Sequence, residues 1–66
     1  MTGKAFIRLI AKRGIPLSCI ANKLNCKLST LRSLETYEKV PSHYLKRFKQ
    51  YFQHNLTEQD LLLLAN

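Results

Sequence analysis

Apolar residues recur three and four positions apart along almost the whole chain, the spacing of helices that bury one stripe and expose the rest. Phe6, Ile7, Ile10 and Ala11 form the first such stripe. Thr2 stands where an N-cap is wanted, and Lys12 and Arg13 suit the negative C-terminal end. Gly14 supplies a residue at ease with positive φ just beyond it. Pro16 suits the start of a second helix, whose inward positions are Ile20, Ala21 and Leu24. Asn25 closes that helix, asparagine being the commonest non-glycine residue in the left-handed region.

Leu28, Leu31 and Leu34 mark a third helix, with Leu31 and Leu34 the firmer inward pair. Glu38 to Pro41 reads as a loop, because the residue before proline is pushed out of the helical region. Ser42 is expected to cap a fourth helix with Leu45, Phe48 and Phe52 inward and Lys46, Arg47 and Lys49 outward. Thr57 and Asp60 have the spacing of a capping box and open a last short helix through Leu61 to Leu64. Nothing alternates as a strand does. The predicted fold is all-α, a compact four- to five-helix bundle forming one domain over residues 1–66. Helices this short are unstable alone, so mutual packing has to hold them.

Residues 17–36 carry the most information. Two short helices joined by a tight turn cross at roughly 90–120° only if their contact is small and the turn residue permits it. Ala21 is the small residue midway along the first of them, and Asn25 is the turn residue four positions later. Ile20, Leu24, Cys26, Leu31 and Leu34 fill the inward positions on both sides. The pattern is that of a helix-turn-helix, with a plain helical hairpin as its alternative.

Charge sharpens the picture. The chain carries +7, and every base from Lys4 to Arg32 precedes the first acid, Glu35. Beyond that point Lys39, Lys46, Arg47 and Lys49 balance Glu35, Glu38, Glu58 and Asp60. Such asymmetry points to a polyanionic partner, nucleic acid or an anionic membrane surface, with a simple solubility charge as the bland reading. Cys19 and Cys26 lack zinc-site spacing, so no metal is expected and free thiols in a reducing cytoplasm are the natural state. The first apolar stretch is too charged for a signal peptide, and the leucine run is too short to span a bilayer. His43 and His54 have no carboxylate or cysteine partner at useful spacing, and only Gly3 and Gly14 exist to build a phosphate loop. No catalytic residues, cofactor or small-molecule ligand are expected, and the chain reads as a non-enzyme.

Gly14, Ile20-Ala21, Leu24-Asn25-Cys26, Leu31, Leu34-Glu35, Pro41 and Leu45 together resemble the phage Cro and repressor family of helix-turn-helix domains, the lambda-repressor-like fold. The resemblance covers residues 6 to 52. It implies a DNA-binding transcriptional regulator, a Cro-like repressor, whose second motif helix, about residues 28–36, enters the major groove. Base contacts would then come from Lys27, Leu28, Ser29, Thr30, Arg32 and Ser33, with Leu28 competing for the core. Phosphate contacts would come from Lys12, Arg13, Lys23, Lys39 and His43. A homodimer on a palindromic operator is implied as well. Tyr51, Leu62 and Leu63 are its candidate contacts, because four leucines in a row cannot all face one side of a helix.

The chain departs from the family pattern at several places. Pro16 and Leu17 replace the family's polar residue and glutamine, Asn25 its glycine, and Lys27 its Ser or Thr cap. Ile10 stands where the family often has an arginine for the glutamate, leaving Glu35 to Arg8, Arg13, Lys39 or solvent. These departures fall mostly on DNA-facing positions. They motivate an alternative of another class, a protein-binding adaptor on the same scaffold. A membrane-surface peptide fits less well, since the bases are spread over several helices. The expected location is the cytoplasm, with the nucleoid.

Overall fold

In a computed structural model, which describes residues 1–65, five α-helices follow one another with no strand among the described residues. They are α1 (Gly3–Lys12), α2 (Leu17–Leu24), α3 (Leu28–Ser33), α4 (Ser42–Phe52) and α5 (Glu58–Leu64). Single 3₁₀ turns, Leu34–Thr36 and Gln53–Asn55, follow α3 and α4. None of these helices is long and apolar enough to cross a membrane.

The caps explain where the helices begin and stop. Thr2 Oγ1 accepts from the Ala5 N–H at 3.1 Å and starts α1. α1 and α2 end in the same way. Gly14 (φ 69°) and Asn25 (φ 57°) adopt the left-handed conformation. The N–H groups of the residues that follow, Ile15 and Cys26, then reach back to the Ile10 and Ala21 carbonyls at 3.3 and 3.0 Å. Ile15 and Cys26 both pack against the core, the apolar contact that accompanies this type of helix end. α5 opens with the complete capping box expected of Thr57 and Asp60.

Phe6, Ile10, Ile20, Leu31, Leu34, Val40 and Phe48 are completely enclosed. Phe6 meets Phe48 edge to face at 5.0 Å, so α1 and α4 contribute to one core. Leu9, Ala21, Leu24, Leu45, Phe52 and Leu64 surround that centre. Burial therefore follows the predicted stripes on α2 and α4. On α1 it differs: Leu9 is buried, whereas Ala11 is exposed and Ile7 half-buried. Val40, in the segment predicted as loop, is part of the centre.

Two further expectations differ from the structure. The expected continuous helix over 28–36 is α only to Ser33 and tightens into 3₁₀ over Leu34–Thr36. Ser42 is the first residue of α4, not its cap; Pro41 occupies the cap position, where no side-chain bond is made. Arg13 pairs with Asp60, and of the surroundings expected for Glu35 it is solvent that the structure shows: Glu35 is exposed, with no ion pair among the described residues.

The chain's first residues also lock onto the segment after α3. The Gly3 N–H donates to the Tyr37 carbonyl at 2.9 Å, and the Val40 N–H donates to the Met1 carbonyl at 3.0 Å. Gly3 is buried, and a Cβ there would lie inside the van der Waals radius of the Leu34 carbonyl oxygen. This clamp fixes the far end of α3 and its 3₁₀ turn against α1.

Candidate nucleic-acid interface

α3 has only six residues, and Leu31 alone among them is fully buried. Leu31 and Leu34, three apart, hold this element to the core, so the opposite side faces solvent. Ser29, Arg32 and Ser33 are exposed, with Lys27 exposed at the cap position; Thr30 is half-buried. Leu28, expected either to touch a base or to join the core, is just exposed at 36%.

The hydroxyls of this stretch are not equivalent. The Ser33 Oγ–H donates to the Thr30 carbonyl at 2.6 Å, and the Thr36 Oγ1–H donates to the Ser33 carbonyl at 2.8 Å. Both protons are thus held by the helix backbone, leaving only acceptor lone pairs for an external group. Ser29 makes no such bond and keeps donor and acceptor alike.

Asn25 is the centre of the polar surface beside α3. On one side it shares a shallow depression with Asn22, Cys26 and Lys27. On the other it shares a second depression with His43, Tyr44 and Arg47 of α4. The left-handed turn that reverses the chain thus brings bases from α3's cap and from α4 to either side of one residue. The His43 and Tyr44 rings lie 4.3 Å apart, and Lys23 Nζ sits 5.4 Å from the centre of the Tyr51 ring. Among the described residues no carboxylate pairs with Lys23, Lys27, Arg32 or Arg47. The Cys26 thiol, partly covered at the turn, is pushed up in pKa by burial and stays neutral.

The five expected phosphate-side residues separate. His43 adjoins the turn beside Asn25, and Lys23, two residues before Asn25, reaches over the Tyr51 ring of α4. Arg13 does not join them: its Nε donates to Asp60 Oδ2 at 2.7 Å, a partly buried tie between helix ends. Lys12 lines a groove with Arg8 and Leu63 between α1 and α5. Lys39 lies in another, with Lys46, Lys49 and Leu64. Arg47 beside Asn25 was not singled out by sequence reasoning. Its spacing of four from His43 on α4 is the signal that puts the two on one face.

The three residues expected at a dimer contact are all exposed, but in different surroundings. Tyr51 lies under the Lys23 ammonium, Leu63 forms one wall of the α1–α5 groove, and Leu62 is the most exposed large apolar residue, at 68%.

Comparison with protein-family models, with curated proteins and with solved structures gave no match to this chain.

Proposed function

We propose that the protein is a double-stranded DNA-binding transcriptional regulator of the Cro-like kind. One observation carries the reading. Lys27 at the cap of α3, and His43 and Arg47 of α4, adjoin one left-handed turn at Asn25, and among the described residues no carboxylate pairs with Lys27 or Arg47. A helix presented that way fits the major groove, where side chains at its N-terminal end reach base edges.

In this reading Arg32, Ser29 and Lys27 discriminate bases. Arg32 has the fork that matches a guanine edge, and Ser29 has both a donor and an acceptor to offer. Ser33 contributes acceptor capacity only. Lys23, His43 and Arg47 hold the phosphates on either side and fix the register. Lys12 and Lys39 act at longer range, and Arg13 is structural. Two copies on a palindromic site, meeting through Tyr51 and Leu62, complete the arrangement.

Amide chemical shifts of the isotope-labelled chain, followed while a duplex is added, test the reading. Changes concentrated on residues 23–33 and on His43 to Arg47 are expected. Changes concentrated on α5 and the Lys39–Lys49 groove, with α3 silent, would overturn it.

A further inference from the structure

We infer that the groove between α1 and α5 is a docking site for an acidic, amphipathic helix of a partner protein. The groove encloses about 400 Å³ and is lined by Ala5, Arg8, Leu9, Lys12, Asp60 and Leu63. Its floor is apolar, and its α5 side carries an exposed leucine, Leu63 at 56%. Apolar recesses of this shape accept the apolar stripe of a helix.

Charge selects the occupant. Arg8 and Lys12 are exposed along one rim, and Lys4 continues the row because residues four apart share a helix face. None of the three has a carboxylate partner among the described residues. The acid in the lining, Asp60, is already neutralised. Its Oδ2 accepts from Arg13 Nε at 2.7 Å and from the Thr57 N–H at 3.0 Å. The field over the apolar floor is therefore positive. From Lys4 to Lys12 the row runs about 12 Å, roughly two turns of a partner helix. A helix with leucine-like residues at i, i+3, i+4 and i+7 and acids flanking them satisfies both the floor and the rim.

Other occupants fit less well. A second copy carries +7 and brings like charge to a basic rim in the absence of a polyanion. An anionic bilayer is flat on this scale, whereas the floor is recessed between two helices. Of the residues assigned above to the duplex, only Lys12, acting at longer range, lines this groove, and none of the base-contacting residues does.

The test uses a designed peptide of about 15 residues, Leu at i, i+3, i+4 and i+7 with Glu beside them, plus a scrambled version and a Lys-for-Glu version. The expected result is amide shift changes at Ala5, Arg8, Leu9, Lys12 and Leu63, with affinity about tenfold or more above either control peptide. The double variant Arg8→Glu/Lys12→Glu and, separately, Leu63→Ser should each weaken binding about tenfold. These are surface positions, and far-ultraviolet circular dichroism checks that each variant folds. Lys46→Glu/Lys49→Glu should bind as the parent does. Several outcomes would overturn the assignment: equal binding of the scrambled peptide, equal loss in the Lys46/Lys49 variant, or shifts on another face. So would a dimer in sedimentation that Leu63→Ser abolishes, or binding to phosphatidylserine vesicles that the Arg8/Lys12 variant abolishes.

Discussion

Arg13 and Asp60, 47 residues apart, meet through an Nε–Oδ2 bond of 2.7 Å, and Asp60 also takes the Thr57 N–H. One carboxylate thereby caps α5 and ties it to the residue that ends α1. The pair is more sheltered than a surface ion pair, with the Asp60 side chain 7% exposed and that of Arg13 22%. α5 supplies Leu64 to the core, so its docking adds to the burial of α4 as well.

This pair sets an acid limit on stability. The hydrogen bond from Arg13, helped by those from Thr57, holds the Asp60 carboxyl below its ordinary 3.8, at about 2. A folded pKa below the unfolded one means that the group's stabilisation is fully present above about pH 4 and is lost as pH falls towards 2. Urea midpoints measured from pH 2 to 6 should show that decline, and Asp60→Asn should flatten it. A double-mutant cycle of Arg13→Met with Asp60→Asn should return a coupling of about 1 kcal/mol or more, against a few tenths for an exposed pair.

The two glycines should respond to alanine for different reasons. Helix propensity alone predicts that Gly3→Ala stabilises α1 by about 0.5–1 kcal/mol. The Leu34 carbonyl in the way of the new Cβ reverses the sign, and we expect a loss of about 2 kcal/mol or more. At Gly14 nothing lies within 4 Å, so Gly14→Ala meets only the cost of a left-handed backbone, about 1–2 kcal/mol. Thermal or urea unfolding of the two variants measures both.

Asn25 adopts the same backbone with a side chain present. Asn25→Gly is expected to hold or raise stability by a few tenths of a kcal/mol, and Asn25→Val to lower it by about 1–2 kcal/mol. Differential scanning calorimetry separates them. In the proposed function, Asn25→Val also misaligns α3 and lowers duplex affinity under conditions where the variant remains folded.

Substitutions around the turn should divide into two kinds. Arg32→Ala and Ser29→Ala are expected to change which sequences bind, at about 1–3 kcal/mol for a well-made base contact. Lys23→Ala and Arg47→Ala are expected to weaken all duplexes alike. Each should lower the slope of log K against log salt by about 0.9 if one phosphate contact is lost. Fluorescence anisotropy on a small panel of duplexes over a salt series checks both.

Much of the fold was legible because it rests on local chemistry. Thr2, Gly14, Asn25 and the Thr57–Asp60 box each act within a few residues of themselves, so their residue types announce their positions. The rest depends on contacts between distant segments. Val40 reads as loop because Pro41 follows, yet the Met1 carbonyl holds its N–H and the core encloses its side chain. Gly3 looks like a poor helix residue until the Leu34 carbonyl appears beside it. On α1 the choice between Leu9 and Ala11 turns on which face meets its neighbours, which periodicity alone leaves undecided. At the candidate site the exposure of Lys27, Ser29, Arg32 and Ser33 was readable from the α3 pattern, whereas Thr30 is half-buried. Arg13's commitment to Asp60 and Arg47's place beside Asn25 come from tertiary packing.

Selection of bound duplexes from a random pool at about 0.15–0.2 M salt addresses the duplex-reading role of α3 most directly, because non-specific binding is weakened there. A base-reading α3 should yield an enriched, two-fold symmetric motif with half-sites about 10 base pairs apart, its preferred bases altered by Arg32→Ala. Recovery of duplexes with no common sequence, or a motif indifferent to every substitution from Lys27 to Ser33, would contradict that role.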